Sequence, residues 1–206
     1  MTLLAIDCAT EACSVALFER GALLAGDYRI MGRGHAEALV PMIAALPGKG
    51  RADRIVVSLG PGSFTGLRVG LAAARALGLA WAVPVLGYPT LALIAAMARA
   101  ERGNQPVSIA TTGGHGDWFV AEYDAAGTQL TAPVSLPPAE AALAARSELV
   151  AGSQSEALIA ARGSGTALSL LPDARALMTL NESVWRSDLT LIYGRAPDAR
   201  LPGTAS

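Results

Sequence analysis

The chain of 206 residues is long enough for one large domain or two small ones, and with 52% hydrophobic and 16% charged residues it can bury a substantial core. The formal net charge of −1 argues against a stand-alone nucleic-acid-binding protein, because such proteins usually present a basic face. Two cysteines, Cys8 and Cys13, are too few for a secreted disulfide framework. Asp7 interrupts the N-terminal apolar run before a signal-peptide core could form, so we expect a cytoplasmic protein.

An uncharged stretch from Ala76 to Ala98 has the length that a membrane-spanning helix requires. It contains two glycines and two prolines, Gly78, Pro84, Gly87 and Pro89, which divide it into a helix end, a short strand and a new helix. We therefore expect no membrane-spanning segment in this stretch.

The first half of the chain predicts three short strands followed by helix, strand, helix, strand and helix. Short connections make the first three strands antiparallel neighbours. The first helix opens at Arg33–His35 and contains Pro41, which should weaken or bend it. The predicted strands are residues 2–6, 13–18, 22–28, 54–59 and 83–86, and the two later helices are residues 65–80 and 89–102.

The second half repeats the beginning of the chain in outline. Three strands separated by turns are predicted at 107–111, 118–123 and 128–131, with almost the same lengths as the strands near the N-terminus. This similarity of pattern favours a duplicated α/β unit. Shorter elements follow at 137–145, 148–151, 154–161 and 172–180.

Three antiparallel strands followed by helix, strand, helix and strand is the order of the ribonuclease-H-like, actin-like (ASKHA) fold. Two copies predict an α/β protein of two subdomains with mixed sheets. The charged segment Glu101–Pro106 is the best linker, so we place the N-terminal subdomain in residues 1–103 and a degenerate copy in residues 104–206. In this architecture the carboxylate that ends the first strand lies near the nucleotide phosphates, in the cleft between the copies.

The segment from Asp53 to Trp81 predicts a buried strand, a glycine-rich turn and a helix, and two interpretations of the turn compete. A phosphate-binding loop would offer free N–H groups at the helix N-terminus, but a P-loop has Lys and then Ser or Thr after its last glycine, and here Leu67 follows. The alternative is a helix built for close packing. Glycine inside a helix costs about 1 kcal/mol relative to alanine. Small residues recur at every fourth position and form one ridge along the helix: Gly66, Gly70, Ala74 and Gly78. A close packing contact along this ridge should therefore compensate for the energetic cost of its three glycines.

Few residues of this sequence could carry catalysis. Asp7 ends the first strand, where an actin-like enzyme holds a metal-bound phosphate, but its commoner role would be to cap the turn together with Thr10. A divalent-metal site normally has more than one oxygen ligand, and the matching strand of the second half ends without a carboxylate. The two histidines, His35 and His115, are too few for a zinc site. We predict no catalytic residue, no metal and no cofactor.

Four segments together resemble the TsaB (YeaZ) family: residues 4–17, 32–37, 60–71 and 195–200. The third, from Gly60-Pro61-Gly62-Ser63-Phe64 to Thr65-Gly66-Leu67-Arg68-Val69-Gly70-Leu71, is the most specific. The resemblance is strong over residues 3–100 and thin between 105 and 185. Cys8 stands where the family usually has Thr, and the segment Thr111–Asp117 departs from the family's pattern.

The resemblance implies a non-catalytic paralogue of TsaD, required for threonylcarbamoyladenosine in tRNAs that read codons beginning with A. In that family TsaB binds and stabilises the catalytic subunit TsaD, and the ATPase TsaE joins them. The implied partners are a TsaD-like subunit, a TsaE-like ATPase and, for the chain alone, a second copy, with tRNA contacted indirectly through the complex. Older descriptions as M22 glycoproteases imply a metal site, but the paired metal-binding histidines of TsaD are absent from this sequence.

The family's partner surface is a bundle formed by the helices of the first subdomain. We expect small side chains on two helices to permit close approach of a partner there: Ala36, Val40 and Ala44 on the first, and Gly66, Gly70 and Ala74 on the second. His35, at the start of the first helix, is placed in the same interface. Asp7 and Thr10 would then be a vestigial nucleotide site. The main rival is an actin-like nucleotide-using enzyme, a small kinase or ATPase that depends on Asp7. An M22-type glycoprotease is the lesser rival.

Overall fold

The computed structural model describes residues 1–193, and the Arg195–Arg200 segment lies outside the described residues. Two five-stranded mixed sheets form the framework. Within residues 1–193, no helix is both long enough and apolar enough to cross a membrane.

The first sheet has the strand order β3-β2-β1-β4-β5. The first three strands are antiparallel, and β4 and β5 continue the sheet parallel to β1, with helices as the crossover connections. Its strands are β1 (Thr2–Asp7), β2 (Ala12–Glu19), β3 (Ala22–Ile30), β4 (Arg54–Ser58) and β5 (Val85–Tyr88), and its helices are α1 (His35–Ala45), α2 (Phe64–Trp81) and α3 (Thr90–Arg102).

The second sheet repeats this topology with the order β10-β9-β6-β7-β8. Its first three strands in the chain are again antiparallel neighbours, and its last two run parallel to the first. The predicted duplication of an actin-like α/β unit is therefore confirmed. The strands are β6 (Val107–Thr112), β7 (Trp118–Tyr123), β8 (Val134–Leu136), β9 (Leu149–Ala151) and β10 (Thr166–Leu168), and the helices are α4 (Pro138–Ala144) and α5 (Ser155–Arg162).

Two of the predicted strands are displaced in the structure. The third strand of the second sheet is β8 at 134–136 rather than 128–131, where only an isolated bridge joins Gln129 to Tyr123. The last strand of the first sheet begins at Val85 rather than Val83, because the N–H of Val83 donates to the carbonyl of Gly78 and completes the end of α2. The cap of α2 thus explains the later start of β5.

Helix α1 continues unbroken through Pro41, contrary to the expected weakening. Pro41 lies on the exposed side of the helix, while Leu39, Met42 and Ile43 on the other side are buried against the first sheet. The burial of these three side chains on both sides of the proline stabilises the helix where one backbone hydrogen bond is missing.

The protein is layered around α3. Helices α1 and α2 cover the outer face of the first sheet, and α4 and α5 cover the outer face of the second. Helix α3 belongs to the hydrophobic core that both sheets share, and its apolar residues are buried almost all round, as expected of a central helix.

The segment after β10 returns to the first sheet. The N–H of Ala174 donates to Ser14 Oγ at 2.9 Å, Arg186 exchanges backbone hydrogen bonds with Gly87, and the N–H of Ile192 donates to the carbonyl of Leu59. These contacts join the two halves of the chain. The division of the chain into residues 1–103 and 104–206 stays a prediction.

Candidate functional site

Asp7 ends β1 at the edge of the sheet where the carboxyl ends of β1, β4 and β5 meet. Its side chain is fully buried and accepts two hydrogen bonds. The Tyr88 hydroxyl donates to Oδ2 at 2.7 Å, and the N–H of Ala9 donates to Oδ1 at 2.9 Å. Ser58 and Thr90 lie beside this pair and share a hydrogen bond of 2.6 Å between their hydroxyls. The carboxylate is therefore enclosed by protein groups.

The environment of Asp7 raises the pKa of its carboxyl to about 6. Burial is the largest cause, since desolvation disfavours the charged form, and the negative charge of Asp173 also raises the pKa. The hydrogen bonds from Tyr88 and Ala9, together with the neighbouring Ser58 hydroxyl, lower the pKa again in part. Within residues 1–193, no group of three His, Cys, Asp or Glu side chains is placed to hold a metal ion. Asp7 can thus accept hydrogen bonds that fix the strand ends together.

Thr10 and His35 close the turn that follows β1. Thr10 Oγ1 accepts the N–H of Ala12 at 3.2 Å, so it makes the turn-capping bond considered in the sequence. His35 is 7% exposed, and its Nε2 lies 2.9 Å from the carbonyl oxygen of Thr10. His35 therefore joins the start of α1 to the β1–β2 turn. We expected His35 on an exposed partner surface, but its ring is buried against the turn, so this expectation is corrected.

The glycine-rich signature is explained by contact with the same turn. A Cβ at Gly62 would collide with the carbonyl of Ala9, and a Cβ at Gly66 would collide with the carbonyl of Cys8. The N–H of Ser63 donates to the carbonyl of Ala9 at 2.7 Å, and Ser63 Oγ accepts the N–H of Gly66 as the N-cap of α2. The start of α2 thus rests directly on the backbone of the β1–β2 turn, which agrees with the packing interpretation.

The ridge of small residues on α2 faces the protein's own sheet. Gly66, Gly70 and Ala74 are buried, and a Cβ at Gly70 would lie 3.5 Å from Cys8 Cβ and 3.6 Å from Val57 Cγ2. The expectation that these three residues line a partner interface is therefore corrected. Helix spacing showed that they share one side of α2, but that side is occupied by β1 and β4.

Several exposed residues of α1 and α2 are apolar, and we call this set of residues the outer helical face. The exposed Arg68 lies beside them, with its guanidinium 3.6 Å from the centroid of the Phe64 ring. On α1 the expected residues Ala36, Val40 and Ala44 are exposed, and Val40 retains 61% of its accessible surface. On α2 the largest exposed apolar side chains are Phe64 at 52% and Leu79 at 87%. The outer helical face consists of Ala36, Val40, Ala44, Phe64, Ala72 and Leu79.

The divergent segment of the second subdomain forms a closed turn between β6 and β7. The N–H of Gly113 donates to the carbonyl of Asp117 at 2.8 Å, and the carboxylate of Asp117 accepts the hydroxyl of Ser135 at 3.0 Å. At the end of β6, the N–H of Thr112 donates to Ser153 Oγ. The carboxylate of Asp117 is thus bound within its own subdomain.

Sequence reasoning missed Tyr88, the hydrogen-bond partner of Asp7. The two residues are 81 positions apart, but a signal was present: Asp7, Ser58 and Tyr88 each end a strand of the parallel part of the first sheet. Because the carboxyl ends of parallel strands meet at one edge of a sheet, these side chains were candidates for contact. Phe64 and Leu79 were missed because a single exposed apolar residue carries no signal by itself.

Comparison with known proteins places this geometry in a family. Residues 29–170 match the family model described as TsaD: tRNA N6-adenosine threonylcarbamoyltransferase. The tRNA threonylcarbamoyladenosine biosynthesis protein TsaB of Escherichia coli is 37% identical over 128 residues, which are 60% of this chain and 55% of that protein. The chain thus spans about half the length of this curated relative.

Solved structures agree over more of the chain. YeaZ from Pseudomonas aeruginosa superposes with a TM-score of 0.78 and 29% identity, covering 93% of this chain and 99% of that one. The ethanolamine utilization protein EutJ from Carboxydothermus hydrogenoformans superposes with a TM-score of 0.51 at 12% identity, covering 87% and 88%, and so shares the fold alone.

The repeated 3-2-1-4-5 sheets and the enclosed carboxylate at the end of β1 define a protein of the actin-like (ASKHA) fold class. The glycine-rich turn that rests on the β1–β2 hairpin and the matches described above identify its family. The chain belongs to the TsaB (YeaZ) family.

Proposed function

We propose that this chain is the accessory, non-catalytic subunit of a complex that makes threonylcarbamoyladenosine in tRNAs reading codons that begin with A. The family relationship supports the pathway, since relatives are named for tRNA threonylcarbamoyladenosine biosynthesis. The enclosed Asp7 supports the accessory role. A carboxylate that is fully buried and hydrogen-bonded to Tyr88 is not presented to a metal-bound phosphate.

The single observation that carries the proposal is the outer helical face. Its apolar side chains lie on two neighbouring helices of the first subdomain, and Val40 and Leu79 lie mostly in solvent. Exposed apolar surface grouped in this way is characteristic of protein–protein contacts. We propose that a TsaD-like catalytic subunit packs on this face and is stabilised by it.

The rest of the assembly follows from the same surface. A TsaE-like ATPase would join the pair, and tRNA would be contacted indirectly through the complex. Without its partner, the chain would cover the same face with a second copy and form a homodimer. Competition between these two associations is therefore expected.

The test is capture of a TsaD-like subunit by the purified chain, with Val40→Arg as the variant. An arginine at the centre of an apolar contact should cost about 2 kcal/mol or more, which is roughly a thirtyfold rise in Kd. Leu143→Arg is the matched control, because Leu143 is an 85% exposed apolar residue on α4 of the other subdomain. Both substitutions replace exposed side chains, so neither should unfold the chain.

A second arm measures tRNA modification by the TsaD-like subunit with and without this chain. Modification that proceeds equally well without the chain would refute the accessory role, and equal capture of wild type and Val40→Arg would refute the interface. Calorimetry, which measures binding of ATP and magnesium to the isolated chain, distinguishes our proposal from the rival nucleotide-using enzyme. Tight binding that Asp7→Ala abolishes would favour the rival over our proposal.

A further inference from the structure

A crevice of about 280 Å³ lies between α3, the turn after β7 and the returning segment. Ala92 and Ala96 of α3 form one side, and Met178, Leu180 and Val184 form the other. These side chains also contact the core that the two sheets share. The crevice thus has apolar side chains on two sides, and polar groups, among them Thr179 and Asn181, form much of the surface around it.

One cation, Arg99, stands at this crevice. Its Nε donates to the carbonyl of Ala125 at 3.1 Å, and its Nη2 donates to Asn104 Oδ1 at 3.2 Å. Nη1 lies against Gly127, where a Cβ would collide with it. Within residues 1–193, Arg99 forms no ion pair, and its two side-chain hydrogen bonds are to uncharged acceptors.

The described residues that line the crevice include Arg99 and no carboxylate. A guanidinium donates charge-assisted hydrogen bonds to carboxylates, and among the described residues Arg99 makes its two side-chain hydrogen bonds through Nε and Nη2 and none through Nη1. Apolar side chains beside one cation can bind a small amphipathic anion.

We propose that this crevice binds a small organic carboxylate, with its carboxylate on Arg99 and its apolar body on Ala92, Ala96 and Val184. The volume of about 280 Å³ lies just below the range for ligand sites, about 300–1,000 Å³. This size fits a single ring or a short chain.

The proposed site is separate from the Asp7 end of the fold. Helix α3 begins at Thr90, which bonds Ser58 beside Asp7, and Arg99 lies nine residues further along the same helix. At 1.5 Å per residue, Arg99 is roughly 13 Å from that end. The inference is also independent of the proposed accessory function, because it uses neither the outer helical face nor a partner.

The test is an NMR titration of the ¹⁵N-labelled full chain with benzoate, in which amide chemical shifts are measured. A second titration uses benzyl alcohol, an uncharged probe of similar shape. We expect saturable shifts at Ala96, Met178 and Val184 with benzoate. Arg99→Gln should weaken benzoate binding by about tenfold or more, because a hydrogen bond to a charged group is lost. It should leave binding of benzyl alcohol unchanged.

Two matched controls distinguish the crevice from general surface effects. Arg102→Gln removes a neighbouring exposed cation that is paired with Glu101, and it should leave benzoate binding unchanged. Ala126→Phe should block both probes because Ala126 lines the crevice, whereas Ala125→Phe at the adjacent exposed position should block neither. Absence of saturable shifts at the crevice, or equal effects of Arg99→Gln and Arg102→Gln, would overturn the proposal.

Discussion

Replacing Gly70 of α2 by alanine should stabilise the protein, although Gly70 is buried in a tightly packed ridge. The added Cβ would lie 3.5 Å from Cys8 Cβ and 3.6 Å from Val57 Cγ2, which are ordinary van der Waals distances. Alanine inside a helix is favoured over glycine by about 0.8–1.0 kcal/mol. The methyl group also gains contacts with the side chains beneath it. We therefore expect Gly70→Ala to raise the free energy of unfolding by about 1 kcal/mol.

The same change one turn earlier should have the opposite sign. At Gly66 the new Cβ would collide with the carbonyl oxygen of Cys8, a backbone atom that cannot move away as a flexible side chain would. Forced overpacking of this kind typically costs about 1–3 kcal/mol. Gly66→Ala should therefore destabilise the protein by about that amount.

Urea and thermal unfolding measure both variants against wild type. For a chain of this length, about 1 kcal/mol corresponds to a shift of roughly 2–4 °C in Tm. Gly114→Ala is the control for the effect on stability of replacing a glycine that makes no close contact, because no atom lies within 4 Å of the position its Cβ would take. Equal destabilisation by Gly70→Ala and Gly66→Ala would refute the described packing. Loss of partner capture by a stable Gly70→Ala variant would show that this ridge faces the partner after all.

Three further substitutions test buried polar groups. The pKa of Asp7 is raised from 3.8 to about 6, so the free energy of unfolding should fall by about 3 kcal/mol as pH rises from 4 through 6. Asp7→Asn should remove this pH dependence, as measured by urea unfolding at each pH. Tyr88→Phe removes the donor to Asp7 and should cost about 2 kcal/mol at pH 7 by the same assay. Glu122→Gln places an amide beside the Ser147 hydroxyl and should lower the free energy of unfolding by about 1–3 kcal/mol, whereas Glu140→Gln at an exposed position should not. If the stability of the wild type did not change with pH, the raised pKa of Asp7 would be contradicted. If Tyr88→Phe and Glu122→Gln were as stable as the wild type, the stabilising role of these buried hydrogen bonds would be contradicted.

The sign of the Asp7 prediction follows from linkage. Between pH 4 and 6 the folded state binds more protons at Asp7 than the unfolded state, because its carboxyl has the higher pKa when folded. The contribution of this group is therefore fully present below its ordinary pKa, and it is lost as pH rises through about 6. Acidic residues that form salt bridges show the reverse dependence.

The sequence by itself determined the order of elements and the duplication. Alternation of apolar residues, glycine and proline turns and helical spacing are local properties, and they predicted the three antiparallel strands of the first half and the first two strands of the second. The composition of the glycine-rich turn also excluded a P-loop, because Leu67 stands where a lysine is required. These features need no knowledge of distant contacts.

Only the tertiary structure decided which surfaces the small residues and polar groups meet. Helical periodicity placed Gly66, Gly70 and Ala74 on one side of α2, but a helix packs closely on its own sheet or on a partner by the same small residues. The pairing of Asp7 with Tyr88 likewise depends on β4 bringing two strand ends together across 81 positions of chain. Spacing along a helix or strand defines a side, and the fold defines what covers that side.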